Sequence, residues 1–462
     1  MAGKSNHQRM IQLPKTAVIT LGCPKNQVDA EQLLFLLAHD GFPLVGQVDE
    51  AEAIIVNTCA FIQPAVEESL DTILEIAGHK QNGRCRYLLV MGCLPQRYGQ
   101  ELLKQIPEID LALGTSSFPK LPELLLKLLQ DKSPTRLHVS PPDYRNTCGL
   151  PQTTSQPHSA YLKIAEGCDN HCSYCIIPQL KGKQASFPPA ELTHKAAELA
   201  DAGVKELNII AQDITAYGQK LSDRTDLVQL LEKLNEINGL EWIRLLYAYP
   251  GKVSDKLINL LGEQTKICPY LDLPIQHISD PVLKRMNRHD RSQTIRETIY
   301  KLGSLKRNIH LRSTVIVGFP GETDRDFQLL LDFIGEGHFT YLGCFPYWPE
   351  TGTKAAMMET QIEESVKEER CRAIMDCQRR ITSRHLQEYI GKSIPLLMEG
   401  ESLESEFLLQ ARTAFQAPDI DGITYITEGF SQAGEIASGR INQVHDYDLF
   451  ASLNETSVKT ST

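Results

Sequence analysis

The sequence predicts an α/β multidomain protein. Its parts are an N-terminal parallel α/β sheet domain, a partial (β/α) barrel and a C-terminal small antiparallel β-barrel. Three observations predict this. Apolar runs of buried-strand length stop at Cys23, Cys59 and Cys93, with helical stretches between them; alternating strand and helix builds a parallel sheet. The alternation resumes at Tyr161 and continues through six units to about Pro349. From about Ile394 it gives way to short alternating runs broken by Gly and Pro, such as SIPLLMEG and GITYIT, the pattern of a small β-barrel.

The elements follow in chain order. TAVITLGC, AEAIIVNTC and RCRYLLVMGC each end a β-branched or apolar run on a cysteine, as buried parallel strands do. Helical patterns over Asp29 to Asp40 and Gln63 to Ala77 separate them. Ligands of open α/β sheets bind at the carboxyl ends of the strands. Cys23, Cys59 and Cys93, 36 and 34 residues apart, therefore converge there as a ligand set. Gly22 and Gly92 let backbone approach closely. A single cysteine ending a strand is ordinarily a core residue; three at equivalent positions favour ligation. Ser133 to Ser159 is rich in Pro, Ser and Thr and reads as a linker. The boundaries are 1–132, 133–159, 160–390 with a trailing amphipathic helix over Glu363 to Tyr389, and 391–462. In the barrel, strands YLKIAEG, ELNIIAQDI, WIRLLYAYP, YLDLPIQH, LRSTVIVGFPG and YLGCFPYWPE bring Asp213, Tyr247, Tyr249, Gln276, His277 and Glu322 to strand ends, where such barrels place function. His277 reads as a hydrogen-bonded rim histidine rather than a ligand. Cys85, Cys148, Cys268, Cys344, Cys371 and Cys377 read as core or surface thiols.

The net charge of −11 implies no generally basic, nucleic-acid-binding surface. No stretch of eighteen apolar residues predicts a membrane span. The opening MAGKSNHQRMIQLPK has no apolar run of signal-peptide type. Twelve cysteines in that context predict a reducing, cytoplasmic compartment and metal binding rather than disulfides.

The sharpest motif is AEGCDNHCSYCIIP, with Cys168, Cys172 and Cys175 spaced C-x₃-C-x₂-C. A structural zinc site wants four ligands, and a ferredoxin cluster takes four cysteines. Three thiolates leave one iron of a cubane open. The spacing resembles that of the radical S-adenosylmethionine (radical SAM) superfamily. The resemblance implies that SAM chelates the open iron and that an electron passed through the cluster breaks its sulfonium bond, the hard chemistry being the cofactor's. Tyr174, between the last two cysteines, is expected beside the adenine of SAM. Asp213 and the GFPGET segment, with Gly318, Gly321 and Glu322, are read as further SAM contacts.

Over nearly its full length the chain resembles the methylthiotransferases of that superfamily. LGCPKNQVDAE, IIVNTCAFIQPAVEES, GCLPQRY, WIRLLYAYP, LDLPIQHISDPVLKRMNR, APDIDG and HDYDL are similar to the branch that acts on a ribosomal protein. This implies two [4Fe-4S] clusters, one on each triad, and two SAM per turnover. The implied product is a methylthio group on the β-carbon of an aspartate in the twelfth small-subunit ribosomal protein. It also implies a TRAM β-barrel and an electron donor such as a flavodoxin or ferredoxin; the sulfur donor is not readable. The chain departs from the family pattern at Lys181-Gly182, where Arg-Gly is usual, at Ser186-Phe187, where Ser-Arg is usual, and at Trp348. One alternative is a tRNA adenosine methylthiotransferase, another an iron–sulfur redox protein. Leu396 to Thr462 carries eleven acidic and three basic residues, a balance of −8, which repels RNA and attracts a basic protein. Asp419, Asp421, Asp446 and Asp448 are expected on exposed loops or strand edges as substrate-binding charges. Two three-cysteine sites disfavour a mere electron carrier.

Overall fold

In the computed structural model the apolar runs before the first three cysteines are strands β1 (Thr16–Thr20), β2 (Ala53–Thr58) and β3 (Tyr87–Gly92). The structure describes residues 12–454 apart from 131, 133, 134, 146, 148, 155, 264, 403, 406 and 407; Cys148 lies outside the described residues. The chain divides into two units, Met1–Thr153 with Ile177–Gly182, and Thr154–Ile176 with Lys183–Thr462.

In the first unit, β4 (Leu111–Leu113) and β5 (Leu137–His138) complete a five-stranded sheet in the order β1-β2-β3-β4-β5, and every pair is parallel. β2 is buried at every position, so both its faces are covered, as in parallel α/β sheets. Four helices connect the strands: α1 (Pro24–His39), α2 (Gln63–Asn82), α3 (Cys93–Gln105) and α4 (Leu121–Leu129). α1 and α2 each carry proline in the first turn, where a missing N–H costs nothing. Leu33 and Leu37 of α1 and Leu121 and Leu125 of α4 share one core with Ile55, Leu89 and Leu113. The stretch read as a linker, 133–159, supplies β5, and its Tyr144 is buried. α5 (Ile177–Lys181) packs here as well: the Leu180 carbonyl accepts from Thr115 Oγ1 at 3.2 Å.

The second unit is built on β6 (Ser159–Lys163), a hairpin of β7 (Ala165–Glu166) and β8 (Ala185–Ser186), then β9 (Glu206–Ile210), β10 (Trp242–Leu245), β11 (Ile267–Asp272), β12 (His310–Val317) and β13 (Tyr341–Pro346). Six of these form one parallel sheet, ordered β13-β12-β11-β10-β9-β6. It is open between β6 and β13, as the six expected units imply. Helices α6 (Pro189–Asp201), α7 (Leu227–Asn235), α8 (Asp255–Gly262), α9 (Asp280–Arg285), α10 (Ser292–Gly303) and α11 (Asp324–Gly335) lie between the strands, and α12 (Glu364–Gln387) follows them. β14 (Ser393–Glu401), β15 (Leu409–Thr413), β16 (Thr424–Glu428), β17 (Ile436–His445) and β18 (Asp448–Leu453) then close a barrel.

That small barrel joins the amino-terminal halves of the sheet strands through buried charge. Glu206, first in β9, accepts from Arg244 Nη2 at 2.7 Å and from Arg412 Nη2 at 2.5 Å, and all three side chains are buried. Burial raises the Glu206 pKa, but the Arg412 and Arg244 guanidiniums outweigh it and hold the carboxyl well below the usual range. Arg412 Nε also pairs with Glu399 at 2.6 Å. Phe415 stacks on His310 with ring centres 4.3 Å apart. Asp421 was expected to be exposed, and the structure corrects this: its side chain is buried, accepts from Tyr270 Oη at 2.8 Å and faces Arg312 Nε at 3.4 Å. Asp448 is half-buried and accepts from the Ile423 N–H at 2.8 Å. Asp419 and Asp446 are exposed, although Asp419 also accepts from Tyr161 Oη at 3.3 Å.

Removing one member of a buried ion network leaves the others unpaired, at a cost of about 3–5 kcal/mol. Arg412→Ala is expected to lower the stability of the second unit by that order in chemical denaturation of the full chain. Asp446→Asn, at an exposed turn, should leave the midpoint unchanged.

Candidate metal centres

Three in-register strands deliver the first triad. β1 aligns Thr20 with Asn57 of β2, and β2 aligns Thr58 with Gly92 of β3, so their ends lie about 4.8 Å from their neighbours. Cys23, Cys59 and Cys93 follow within three residues of those ends. Two asparagines stitch the loops. Asn26 Nδ2 donates to the carbonyls of Leu21 and Thr58, each at 3.0 Å, and Asn57 Nδ2 donates to the Asn26 carbonyl at 2.7 Å. The Leu94 N–H donates to Thr58 Oγ1 at 3.2 Å. Gly22 and Gly92 have φ of +89° and +101°, a region in which a side chain is strained. A Cβ at Gly22 would lie 2.6 Å from Cys59 Cβ and 3.0 Å from its Sγ; at Gly92 it would lie 2.7 Å from the Thr58 carbonyl oxygen.

Cys59 and Cys93 are buried, Cys23 is partly exposed, and none is in a disulfide. Burial pushes the Cys59 thiol up, and neighbouring Cys23 adds to this. Such thiols release their protons on metal binding. Among the described residues no three His, Cys, Asp or Glu side chains gather around a single metal ion. An all-thiol set spread over three strand ends fits a polynuclear iron–sulfur group, whose corner irons stand apart. Lys181 has a structural place in this unit: its buried ammonium lies 3.5 Å from Asp29 Oδ2 and 5.9 Å from the centre of the Tyr144 ring.

The second triad lies just beyond the carboxyl end of β6, past β7, opposite the small barrel. Cys168 Sγ accepts from the Asn170 N–H at 3.5 Å, and the Cys175 N–H donates to the Cys172 carbonyl at 3.0 Å. His171, between them, has φ of +46°. The loop is tied down along its length. Asn170 Nδ2 donates to Asp213 Oδ2 at 2.8 Å, and Lys252 Nζ reaches both Asn170 Oδ1 at 2.7 Å and Asp213 Oδ2 at 2.8 Å. Ser173 Oγ donates to the Arg285 carbonyl at 2.7 Å. Asn287 Nδ2 donates to the His171 carbonyl at 2.8 Å. Three free, partly exposed thiols on a loop fixed in this way fit a cluster with one open iron. Burial pushes the Cys168 thiol up.

Of the five residues read as cofactor contacts, Tyr174 lies beside the loop thiols; burial raises its hydroxyl far above the usual range, and nearby Cys172 adds to this. Its ring meets Phe319 edge-on at 6.3 Å. Asp213 is buried and accepts from Asn170 and Lys252, which ties it to the loop. The GFPGET turn also has an internal occupation. A Cβ on Gly318 would meet Lys367 Cγ at 2.2 Å, and the Gly321 N–H donates to the Thr360 carbonyl at 2.8 Å. Glu322 is buried and accepts from Arg370 Nη1 at 3.0 Å; burial raises its carboxyl to about 7. His277 Nδ1 accepts from the Ser279 N–H at 2.9 Å, and burial lowers its imidazole to about 3, so it is a neutral, hydrogen-bonded rim residue. Phe187 is a core residue; nothing in the structure explains Trp348.

Sequence reasoning missed Asn170, Lys252 and Arg288. Arg288 is buried, lies 4.2 Å over the Tyr249 ring, pairs with Asp290 at 3.0 Å and is near Tyr174 and Cys172. Only the position of Asn170 inside the cysteine motif was a signal; Lys252 and Arg288 look like surface charges in the sequence.

Gly22→Ala and Gly92→Ala each place a Cβ under 3.0 Å from neighbouring atoms. Each is expected to reduce iron incorporated at the first triad. Iron at the Cys168 loop should be unchanged, as elemental analysis after reconstitution will show.

Residues 15–114 match the Uncharacterized protein family UPF0004, residues 162–334 the radical SAM superfamily and residues 390–453 the TRAM domain. Among solved structures, the radical SAM methyltransferase TsrM from Kitasatospora setae aligns with a TM-score of 0.53 at 13% identity, covering 75% of this chain and 74% of that one. The cobalamin-dependent radical enzyme OxsB aligns with a TM-score of 0.51 at 14% identity, over 78% and 57%. These likenesses show the fold alone. The ribosomal protein uS12 methylthiotransferase RimO of Geotalea uraniireducens is 47% identical over 95% of this chain and 98% of its own length. The RimO proteins of Pelobacter propionicus and Geobacter sulfurreducens are 48% and 46% identical, over 96% and 95% of this chain and 98% of their own lengths. Full-length identity of this order, together with the three domains in sequence, shows that the chain belongs to the ribosomal protein uS12 methylthiotransferase family of radical SAM enzymes.

Proposed function

We propose that this protein transfers a methylthio group to the β-carbon of an aspartate in ribosomal protein uS12. One [4Fe-4S] cluster is held by Cys23, Cys59 and Cys93, and a second, which binds SAM, by Cys168, Cys172 and Cys175. The observation that carries this reading is the presence of two separate sets of three thiols, each at the carboxyl end of a parallel sheet. When bound, the clusters and SAM supply the transferable sulfur, its methyl group and the hydrogen-abstracting carbon radical.

The protein's own residues hold and orient. Asn26 and Asn57 fix the loops that carry the first triad. Asn170, Asp213 and Lys252 hold the second triad's loop. Tyr174 and Phe319 offer an apolar aromatic wall for an adenine ring. Arg288 places a buried positive charge beside Cys172 and offsets the charge of a reduced cluster. The reductant is a one-electron carrier such as a flavodoxin or ferredoxin. Modification of a ribosomal protein sets the reaction in the cytoplasm, and no helix among the described residues is long and apolar enough to cross a membrane.

The acidic excess of the C-terminal barrel favours a basic protein over a tRNA. Asp421 and Glu399 are used internally, so recognition falls to exposed acids such as Asp446 and Asp419 and, in part, Asp448.

Mass spectrometry of uS12 from cells with and without the gene tests the reaction: the methylthio mass should appear on one aspartate only with the gene. An unmodified uS12 alongside a modified tRNA would overturn the reading. Cys168→Ala/Cys172→Ala/Cys175→Ala should remove about half the iron of the reconstituted protein and abolish SAM cleavage, given two independent cubanes. The matching triple variant of Cys23, Cys59 and Cys93 should remove the other half and keep SAM cleavage. Arg288→Met should shift the midpoint potential of the second cluster downward in a spectroscopic titration, because net charge near a cluster sets its potential. Asp446→Asn should weaken binding of uS12 most at low salt, where exposed charges act at longest range.

A further inference from the structure

We propose that Arg312 selects the substrate aspartate, its Nη2 taking the side-chain carboxylate of that residue. The inference rests on the reaction proposed above and adds the group that recognises its target. Arg312 lies in β12, whose residues alternate. Leu311, Ser313, Val315 and Val317 are buried, whereas Arg312, Thr314 and Ile316 are partly exposed. The neighbouring strand β13 continues that second face, with Tyr341, Gly343 and Phe345 beside Arg312, Thr314 and Ile316. Ile316 and Tyr174 pack against the same apolar cluster, around Phe319 and Tyr347, so this face begins beside the cysteine loop. Arg312 stands four residues further down it, about 13 Å at the rise of a strand.

The guanidinium is fixed through two of its three nitrogens. Nε faces Asp421 Oδ1 at 3.4 Å, and Nη1 donates to Asp272 Oδ1 at 3.2 Å and to Thr314 Oγ1 at 3.3 Å. Nη2 has no hydrogen-bond partner among the described residues, and the side chain is 13% exposed. Gly343 keeps the space in front of it: a Cβ there would lie 3.7 Å from Nη2 and 3.3 Å from the Phe345 ring. Phe345, exposed on the edge strand, is the next wall of the same face. Burial pushes the Asp421 carboxyl up, which lessens the negative charge competing for the guanidinium. Arginine stays charged at every working pH, and its bond to a carboxylate is about twice as strong as a neutral one. In aspartate the carboxylate carbon is bonded to the β-carbon. Fixing the carboxylate on Nη2 therefore fixes the carbon that loses hydrogen, the kind of positioning that lowers a barrier. The purine of a tRNA adenosine brings no anionic group to that nitrogen.

The test is a double-mutant cycle in binding, with cluster-loaded full-length enzyme held anaerobically without reductant. Enzyme variants are crossed with uS12 and with uS12 whose target Asp is replaced by Asn. With the unaltered enzyme, the Asp-to-Asn change should weaken binding about tenfold, the loss of one charged hydrogen bond. Arg312→Gln should weaken binding of uS12 by a similar factor, and the Asn substrate should then bind no worse than the Asp one. Gly343→Leu gives the same reading with the Arg312 ion pairs intact. Its backbone is not in the left-handed region, and the exposed Phe345 ring can give way, so the new side chain covers Nη2 without removing it. Coupled losses in either variant support the proposal, since a purely structural arginine would not sense the substrate's charge. Additive losses, or Gly343→Leu binding both substrates as the unaltered enzyme does, would overturn it. An unaltered enzyme that leaves uS12 unmodified would overturn the proposed reaction and this inference with it; modification accompanied by additive losses would overturn the inference alone.

Discussion

A single geometric constraint organises the first unit: three parallel strands must end in register. Cys23, Cys59 and Cys93, far apart in the chain, come to one end of the sheet only because β1, β2 and β3 stop side by side, with Thr20 opposite Asn57 and Thr58 opposite Gly92. Shifting one strand by a residue would turn its cysteine toward the other face. The glycines and asparagines around the thiols serve that constraint. Gly22 leaves room for Cys59, Gly92 leaves room for the Thr58 carbonyl, and Asn26 binds two loops at once.

The second unit meets the same need by another route. Its thiols are close in sequence, so the fold has to stiffen one loop instead of aligning three ends. It does so with the side chains of Asp213, Lys252 and Asn287 and the backbone carbonyl of Arg285, from the segments after β9 and β10 and the α9 region. The opposite end of the sheet is finished by the C-terminal barrel, whose Arg412 and Asp421 satisfy groups that would otherwise be buried without partners. Rigid support at both ends of the strands suits chemistry in which a misplaced hydrogen abstraction is damaging.

What the sequence made legible follows from how local each signal is. The Cys168 motif is contiguous, and the strand-ending cysteines repeat a visible local context, so the place of both sets at strand ends could be read. The six-unit sheet was legible from alternation alone. Asp213 was legible as a rim residue but not as a brace, because its partners, Asn170 and Lys252, are 43 and 39 residues away. Asp421 was misjudged because a charge count does not reveal that Tyr270 and Arg312 bury it. The sequence also does not reveal that the glycines of the GFPGET turn make room for Lys367 and Thr360.

The Glu206–Arg412 contact spans 206 residues of chain, and this separation has a consequence during synthesis. The ribosome releases β9 and β10 long before Arg412 exists, so Glu206 and Arg244 form a nascent sheet whose amino-terminal end stays wet and half-paired. Domains emerging in order normally fold as they appear. Here the ion network at the amino-terminal end of the central sheet is complete only when Arg412 has left the tunnel.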